Sequence, residues 1–261
     1  MRHEELMDTN EAKIFYDALA EDYDKMTRFE QRLENEALML KKWVEKYNIR
    51  SALDAACGTG LHAILLSRWG IETVGCDISP AMLEKARKNA KKFEANVEWI
   101  ESDMQSLGEK FQDRVDAIFC LGNSLPHLLS ENELYKTLKS FYSILIPEGI
   151  LVIQILNYQK ILKNRQRIVG IRWQGEKEFI RFYDFLEKTV RFNVLTIQWQ
   201  GMNVQHHLQS TELFPYQTKN LLPMMVKTRF NTIKYYGDMS FNKFDPDRSN
   251  NLVMVGHKSK V

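Results

Sequence analysis

The stretch 53–60, which reads LDAACGTG, constrains the fold of this chain more than any other feature. A short apolar run ends there in a tight turn that holds Gly58 and Gly60, and an amphipathic segment follows. Glycine permits positive φ angles and close approach of a ligand to the backbone, and the first N–H groups of a helix have no partner within it. Asp77 ends the next apolar run, and an acid about 20 residues after such glycines suits a ribose diol. This layout predicts a nucleotide-type cofactor site at the tip of a parallel sheet.

Apolar runs and helical periods alternate through the middle of the chain. We predict strands at 52–56, 72–77, 97–101, 115–120 and 150–156, and helices at 11–47, 61–69 and 131–145. A further helix is predicted to start with Ser79 as its N-cap and Pro80 at its first position. Strands that alternate with helices indicate an α/β fold with a doubly wound, mostly parallel sheet of seven strands, whose ligands bind beyond the carboxyl ends of the strands.

The character of the sequence changes after Asn157. Apolar and polar residues alternate with period two in four runs, which predicts an antiparallel β insertion at 171–173, 179–186, 191–200 and 204–213. Helical spacing returns at 219–227, and two last strands, 232–236 and 252–257, are predicted to complete the main sheet as an antiparallel pair. We therefore divide the chain into an N-terminal helical lid (1–50), a cofactor-binding core (51–169), an insertion that covers the substrate (170–215) and the end of the core (216–261).

The charge balance argues against polyanionic partners. The chain has 36 basic and 34 acidic residues, a net charge of +2, whereas nucleic-acid binding requires a clustered basic surface. The lysines of 85–92 lie in a helical pattern, so we interpret them as a solvated helix face. No apolar run approaches the length that spans a bilayer, and the polar, acidic N-terminus shows no signal peptide. We expect a cytoplasmic protein without nucleic-acid or membrane partners. The sequence leaves open whether the protein forms a homodimer.

The metal-binding residue types do not form a metal site in the sequence. Cys57, Cys76 and Cys120 are odd in number and lack ligand spacing, so we interpret them as small buried residues in a reducing cytosol. His206 and His207 are adjacent, and their side chains therefore point to opposite faces of a strand. We predict no bound metal.

The glycine turn is not the dinucleotide fingerprint, because GxGxxG requires a third glycine where Ala63 stands. The order D-x-x-x-G-x-G, made by Asp54, Gly58 and Gly60, resembles motif I of the class I S-adenosylmethionine (SAM) methyltransferases. The resemblance covers about residues 50–157, and the terminal β-pair agrees with it. It implies SAM as the methyl donor, S-adenosylhomocysteine as the product and a small-molecule acceptor as the partner.

The resemblance also implies roles around the cofactor. The backbone near Ala56 and Gly58 is expected to hold the methionine part of SAM, and Asp77 to accept both ribose hydroxyls. Asp103 and Met104 are expected to meet the adenine, although Asp103 is also a common turn former. The full set expected to line the cofactor site is Tyr16, Arg32, Asp54, Ala56, Gly58, Gly60, Asp77, Ile78, Asp103, Met104 and Leu121.

The N-terminal segment 16–24, YDALAEDYD, looks like the lid that precedes the core in many small-molecule methyltransferases. The aromatic faces of Tyr16 and Tyr23 can stabilise a sulfonium by cation–π attraction. Arg32 resembles, by its spacing before the first strand, the arginine that holds the SAM carboxylate in glycine N-methyltransferases. An exposed helix arginine is the alternative explanation.

A loop after the fourth strand carries the candidate acceptor contacts. Residues 120–128, CLGNSLPHL, resemble the corresponding loop of glycine N-methyltransferase and the glycine/sarcosine N-methyltransferases. In that family the asparagine faces the amine, so Asn123 and Ser124 are expected to contact the acceptor. Asn123 can accept from an amine N–H, and Tyr23 can help to orient the amine. His127 is a candidate contact or base, with a packed loop histidine slightly favoured.

One position departs from the glycine-methylating enzymes. They carry an arginine after the fifth strand that grips the substrate carboxylate, where this chain has Leu156. A carboxylate in a dry pocket needs a cationic partner, so glycine as acceptor requires Arg181 or Arg172 to reach in from the insertion. Arg181 and Tyr183 share one strand face and are candidate acceptor contacts.

The sequence thus predicts methyl transfer from SAM to a small molecule, foremost an amine. An O- or C-methyltransferase of a metabolite and a non-catalytic SAM-binding module are the alternatives.

Overall fold

The computed structural model describes residues 2–111 and 114–260, and of residues 2–10 the backbone alone. The strands are β1 Ser51–Ala55, β2 Glu72–Asp77, β3 Glu98–Glu101, β4 Val115–Cys120, β5 Leu145–Leu156, β6 Ile168–Gln174, β7 Lys177–Phe185, β8 Val190–Gln200, β9 Asn203–Leu213, β10 Asn231–Tyr236 and β11 Asn251–His257. The helices are α1 Arg2–Thr27, α2 Phe29–Tyr47, α3 Leu61–Arg68, α4 Pro80–Lys92, α5 Leu107–Lys110, α6 Glu131–Ile144, α7 Tyr158–Lys163 and α8 Thr218–Lys227, with a 3₁₀ turn at Leu125–His127.

Seven strands form the central sheet in the order β10-β11-β5-β4-β1-β2-β3. Strands β3, β2, β1, β4 and β5 are parallel, and β11 runs antiparallel between β5 and β10. Helices cover both faces, so strand residues such as Leu53, Ile118 and Val152 are fully buried. The predicted doubly wound sheet with a terminal antiparallel pair is confirmed.

The order of strands reverses between β1 and β4. The chain runs from β1 outward through β2 and β3, and it then returns to β4 on the other side of β1. In open α/β sheets, ligands bind in the crevice outside the carboxyl ends at this point. The glycine turn after β1 and the loop after β4 therefore face each other across the crevice.

The insertion folds as a separate four-stranded antiparallel sheet in the order β6-β7-β8-β9. Its first strand begins at Ile168, three residues before the predicted run. The inner face packs on α1 through Phe179 and Val194, which contact Phe15 and Leu19 in one apolar cluster. The lid helix is therefore held between the insertion and the core.

The predicted helical region at 11–47 consists of two helices, and the first of them begins earlier, at Arg2. Arg28 adopts a left-handed conformation with φ 56°, which ends α1 and starts α2. Asp17 of α1 accepts a 2.5 Å hydrogen bond from the Ser79 hydroxyl, and Asp22 pairs with Lys177 of β7 at 2.6 Å. Ser79 also caps α4 as predicted, because its hydroxyl accepts from the Met82 N–H.

The three cysteines are buried free thiols, as predicted. Within 2–111 and 114–260, no helix has both the length and the apolar character that crossing a bilayer requires.

Candidate cofactor and acceptor site

The turn after β1 brings three residues into left-handed backbone conformations. Ala56, Gly58 and Gly60 have φ of 58°, 56° and 89°. A Cβ on Gly60 would lie 2.7 Å from the Trp99 side chain of β3 and 3.2 Å from the Ala86 Cβ, so these neighbours would have to move. Glycine at position 60 therefore lets α3 start close against the sheet, and the backbone of the turn faces the crevice.

Asp77 ends β2 beside this turn. Its two carboxylate oxygens accept from the Gly58 N–H at 2.7 Å and from the Ser79 N–H at 2.9 Å. Burial raises the pKa of Asp77 to about 6, although these N–H bonds act to lower it. The carboxylate is thus held rigidly, and each oxygen keeps lone-pair capacity for a hydroxyl donor.

A cavity of about 110 Å³ lies over the turn, and we call it the cofactor cavity. Nine of the eleven residues predicted for the cofactor line it: Tyr16, Arg32, Ala56, Gly58, Asp77, Ile78, Asp103, Met104 and Leu121. The backbone of the glycine turn, the Asp77 carboxylate and the apolar walls at Met104 and Leu121 suit the methionine, ribose and adenine parts of SAM. The residues present therefore fit this cofactor.

Asp54 and Gly60 do not line the cofactor cavity. Asp54 is 1% exposed, and its carboxylate accepts from the Ala63 N–H of α3 at 3.1 Å. Burial raises the pKa of Asp54 to about 6. Both residues shape the start of α3 from beneath rather than facing the crevice.

Asp103 lines the cavity but uses its carboxylate in a turn. Its two oxygens accept from the N–H and the hydroxyl of Ser106 at 2.8 and 3.1 Å. These contacts agree with the alternative interpretation of Asp103, in which its side chain stabilises a turn. Met104 beside it contacts the Cys120 thiol, with 3.8 Å between the sulfurs.

A second, larger cavity of about 520 Å³ lies between the lid, the insertion and the strand tips, and we call it the acceptor cavity. It holds all the candidate acceptor contacts except Ser124, which lines the cofactor cavity. Residues that line both cavities are Tyr16, Tyr23, Arg32, His62, Leu121, Gly122 and His127. The two spaces are therefore neighbours that share a wall, as methyl transfer between two ligands requires.

Asn123 joins the tips of β4 and β5. It has φ 68°, and its amide oxygen accepts from the Leu156 N–H at 2.9 Å while its amide nitrogen donates to the Tyr158 hydroxyl at 2.9 Å. The rings of Tyr158 and Tyr183 lie 6.4 Å apart between their centroids. Tyr183 also lines the acceptor cavity, where its hydroxyl can donate to or accept from a ligand. The Asn123 amide is thus already engaged, and one lone pair of its oxygen remains for an amine.

His127 pairs with the lid. Its Nε2 lies 2.9 Å from the Tyr16 hydroxyl, and its Nδ1 is buried with no partner among the described residues. Burial lowers the pKa of His127 to about 4 and raises that of Tyr16 well above 10. Both groups are therefore neutral at pH 7, and His127 is a weak proton acceptor.

Arg181 brings a cation to the acceptor cavity. Its Nε is buried without a hydrogen-bond partner in the described part of the chain. Burial lowers its pKa, and so does the neighbouring Arg172, which lines the same cavity. Gly170 pairs with Arg181 across β6 and β7, and a Cβ there would come within 3.1 Å of Nη2. Because Gly170 has no side chain, the Arg181 guanidinium has room at this position.

Arg32 belongs to a cluster that the sequence did not reveal. Its Nε donates to Glu36 Oε1 at 2.6 Å, and its Nη2 lies 3.4 Å from Oε2. His62 Nε2 lies 2.9 Å from the same Oε2. Burial would raise the pKa of Glu36, but His62 and Arg32 lower it to about 2. The spacing of Arg32 and Glu36 on one helix was visible in the sequence, whereas His62 comes from α3.

Comparisons with known proteins agree with this geometry. A family model described as a methyltransferase domain matches residues 52–149. A glycine/sarcosine N-methyltransferase from Aphanothece halophytica is 30% identical over 247 residues, which cover 89% of this chain and 86% of that protein. A glycine/sarcosine/dimethylglycine N-methyltransferase from Actinopolyspora halophila is 35% identical over 91% of this chain, which spans 41% of that protein.

Among solved structures, a SAM-dependent methyltransferase from Clostridium acetobutylicum superposes with a TM-score of 0.79. It is 18% identical, and the match covers 94% of this chain and 99% of that one. At this identity the likeness shows a common fold.

Proposed function

This chain belongs to the SAM-dependent methyltransferases, and from that premise we propose that it methylates the nitrogen of a small amine that carries a carboxylate. One observation carries the proposal: Arg181 presents a half-buried guanidinium to the acceptor cavity, and its Nε has no hydrogen-bond partner within the described ranges 2–111 and 114–260. A desolvated cation calls for an anionic ligand. The planar guanidinium suits a carboxylate, which it can bind with two parallel hydrogen bonds.

The position of the arginine accounts for the departure at Leu156. Arg181 and Arg172 come from the insertion, whereas the resemblance places the carboxylate-binding arginine after the fifth strand, where Leu156 stands. Glycine and sarcosine, the acceptors in the names of the two relatives, each carry a carboxylate next to the nitrogen. The same acceptor chemistry can thus be served by a cation that comes from the insertion.

The chain's own groups orient the acceptor and exclude water. Bound SAM supplies a methyl group already activated on a sulfonium. Tyr183 and Asn123 line the acceptor cavity and offer polar groups to the acceptor, and the lid tyrosines close the space above the glycine turn. A Cβ on Gly58 would lie 3.8 Å from Tyr23, so this ring lies directly over the turn. Alignment of two bound reactants supplies much of the rate enhancement in such transfers.

The titrating groups favour nitrogen over oxygen as the acceptor atom. An alcohol or phenol needs a general base with a pKa near the working pH. The pKa of His127 is lowered to about 4, and the pKa of Tyr16 is raised by burial, so neither group suits that task. A neutral amine needs no base to attack, because its lone pair is available before transfer.

Labelled SAM and an acceptor panel test the proposal. The panel pairs each amino acid with its decarboxylated counterpart: glycine with methylamine, sarcosine with dimethylamine, and larger apolar α-amino acids with their amines, alongside phenols and simple carboxylic acids. We expect alkali-stable label in the amino acids and much less in the matched amines. Alkali-labile label, released as methanol, would identify carboxyl methylation, and transfer to phenols would identify an O-methyltransferase; either result would overturn the proposal.

A further inference from the structure

We propose that Glu36 and His62 are positioning residues that aim the Arg32 guanidinium at the carboxylate of the methionine part of SAM. The inference rests on Arg32 meeting that carboxylate, as the resemblance implies. It does not depend on the identity of the acceptor.

The contacts fix one edge of the guanidinium. Glu36 Oε1 accepts a hydrogen bond from the Arg32 Nε–H at 2.6 Å, and Glu36 Oε2 lies 3.4 Å from Arg32 Nη2. The Nε–Nη2 edge of the guanidinium is therefore bound by one carboxylate. A guanidinium has five N–H donors in a rigid plane. The remaining donors, on Nη1 and the outer side of Nη2, therefore have a set direction, and Arg32 lines the cofactor cavity.

His62 holds the Glu36 carboxylate in place, and this carboxylate holds the Arg32 guanidinium. Glu36 is ionised at any physiological pH because its pKa is about 2, so it can only accept, and His62 Nε2 must donate to it. His62 lies in the first turn of α3, directly after the glycine turn. We call these contacts of Glu36 with Arg32 and His62 the Glu36 clip. The clip links Arg32 of α2 to α3, the helix that follows the glycine turn.

The surroundings explain why such a clip is needed. Asp24 of α1 also lies near Arg32 and attracts its charge. A long arginine side chain has several rotamers, and holding it in one before the ligand arrives lowers the entropy lost on binding. With side chains 30%, 26% and 12% exposed for Arg32, Glu36 and His62, the cluster is also shielded from solvent screening.

Calorimetric titration with two ligands tests the inference. One ligand is SAM, and the other is decarboxylated SAM, which has the same sulfonium, ribose and adenine but no carboxylate. We expect Glu36→Gln to weaken SAM binding about tenfold, the size of one charge-assisted hydrogen bond, and to leave the binding of decarboxylated SAM within about twofold. Arg32→Gln should show the same pattern more strongly.

Matched variants separate positioning from stability. Glu84→Gln breaks the Lys88–Glu84 pair, which has the same i,i+4 spacing on exposed α4, and should change neither affinity. His62→Gln keeps an N–H donor for Glu36 and should bind SAM nearly as the unmodified protein does, whereas His62→Ala should resemble Glu36→Gln. If Glu36→Gln does not fold, Glu36→Asp, which keeps the charge but shortens the reach, should give a smaller loss with SAM alone.

Three results would overturn the inference in different ways. Equal losses for both ligands would make the cluster a general support of the cavity. If Glu36→Gln leaves the SAM affinity unchanged and Arg32→Gln lowers it, Arg32 binds the carboxylate without being positioned by Glu36. An unchanged SAM affinity in Arg32→Gln would remove the assigned role of Arg32 itself, whatever the acceptor experiments show.

Discussion

Replacing Arg181 by methionine should stabilise the ligand-free protein and impair the enzyme at the same time. The Arg181 Nε is buried and has no partner in the part of the chain that the structure describes, and the like charge of Arg172 lies nearby. Leaving a buried donor unsatisfied costs about 1–3 kcal/mol. Because the cavity admits water to the rest of the guanidinium, the low end applies, about 1 kcal/mol. Methionine has a similar length and no such cost, so Tm should rise by roughly 2–4 °C.

The same variant should lose much of its activity toward a carboxylate-bearing amine. Hydrogen bonds to charged groups are worth about 1.5–3 kcal/mol, which corresponds to a loss of about 10- to 150-fold in kcat/KM. The measurement pairs a thermal unfolding scan without ligands with initial rates from labelled SAM. Rates toward an amine that lacks the carboxylate should change little.

Arg191→Met is the matched control for Arg181→Met. Arg191 lies in the same sheet, is 47% exposed and pairs with Glu212 at 3.6 Å. Surface pairs contribute about 0–1 kcal/mol, so its Tm should fall slightly or stay constant, with unchanged kcat/KM. A lower Tm together with normal kcat/KM in Arg181→Met would refute the reasoning, because it would mean that the guanidinium serves the fold.

Three further predictions concern the glycine turn and its acid. Asp77→Asn should weaken SAM binding by about 10- to 100-fold in calorimetry, since it removes a charged acceptor of the ribose hydroxyls. The affinity of the unmodified protein for SAM should hold above pH 7 and fall as pH drops through about 6, where Asp77 takes up a proton; an affinity unchanged down to pH 5 would contradict this. Gly60→Ala should cost more in urea unfolding than Gly70→Ala: both have positive φ, worth about 1–2 kcal/mol, but only the first would meet Trp99. Equal losses would exclude the contact with Trp99.

Much of the fold could be predicted because local and global signals agree. The strands of the main sheet are buried runs bounded by turn residues, so length and composition sufficed. Ser79 and Pro80 marked the start of α4 correctly because capping is a short-range effect. The position of the break between α1 and α2 escaped prediction, because Arg28 is neither glycine nor proline, the residues that mark such a break in a sequence.

The site was predictable in its parts and not in its connections. Most of the predicted residues that line the cofactor cavity lie in the turns after β1, β2, β3 and β4, and their positions follow from the order of the strands. The engagement of Asn123 by Leu156 and Tyr158, and the contact of His62 with Glu36, join segments 26 to 35 residues apart. The periodicity of apolar residues along the sequence carries no information about such contacts. The unpaired state of Arg181 is likewise a property of what surrounds it in three dimensions.

The antiparallel strand β11 has a consequence for how the chain is made. It supplies the second neighbour of β5, yet residues 251–257 are synthesised about 100 residues after β5. At roughly 5–20 residues per second, the open edge of β5 waits for about 5–20 s on the ribosome. That edge belongs to an apolar strand, which readily pairs with other chains. We therefore expect the nascent chain to need protection by chaperones until β11 closes the sheet.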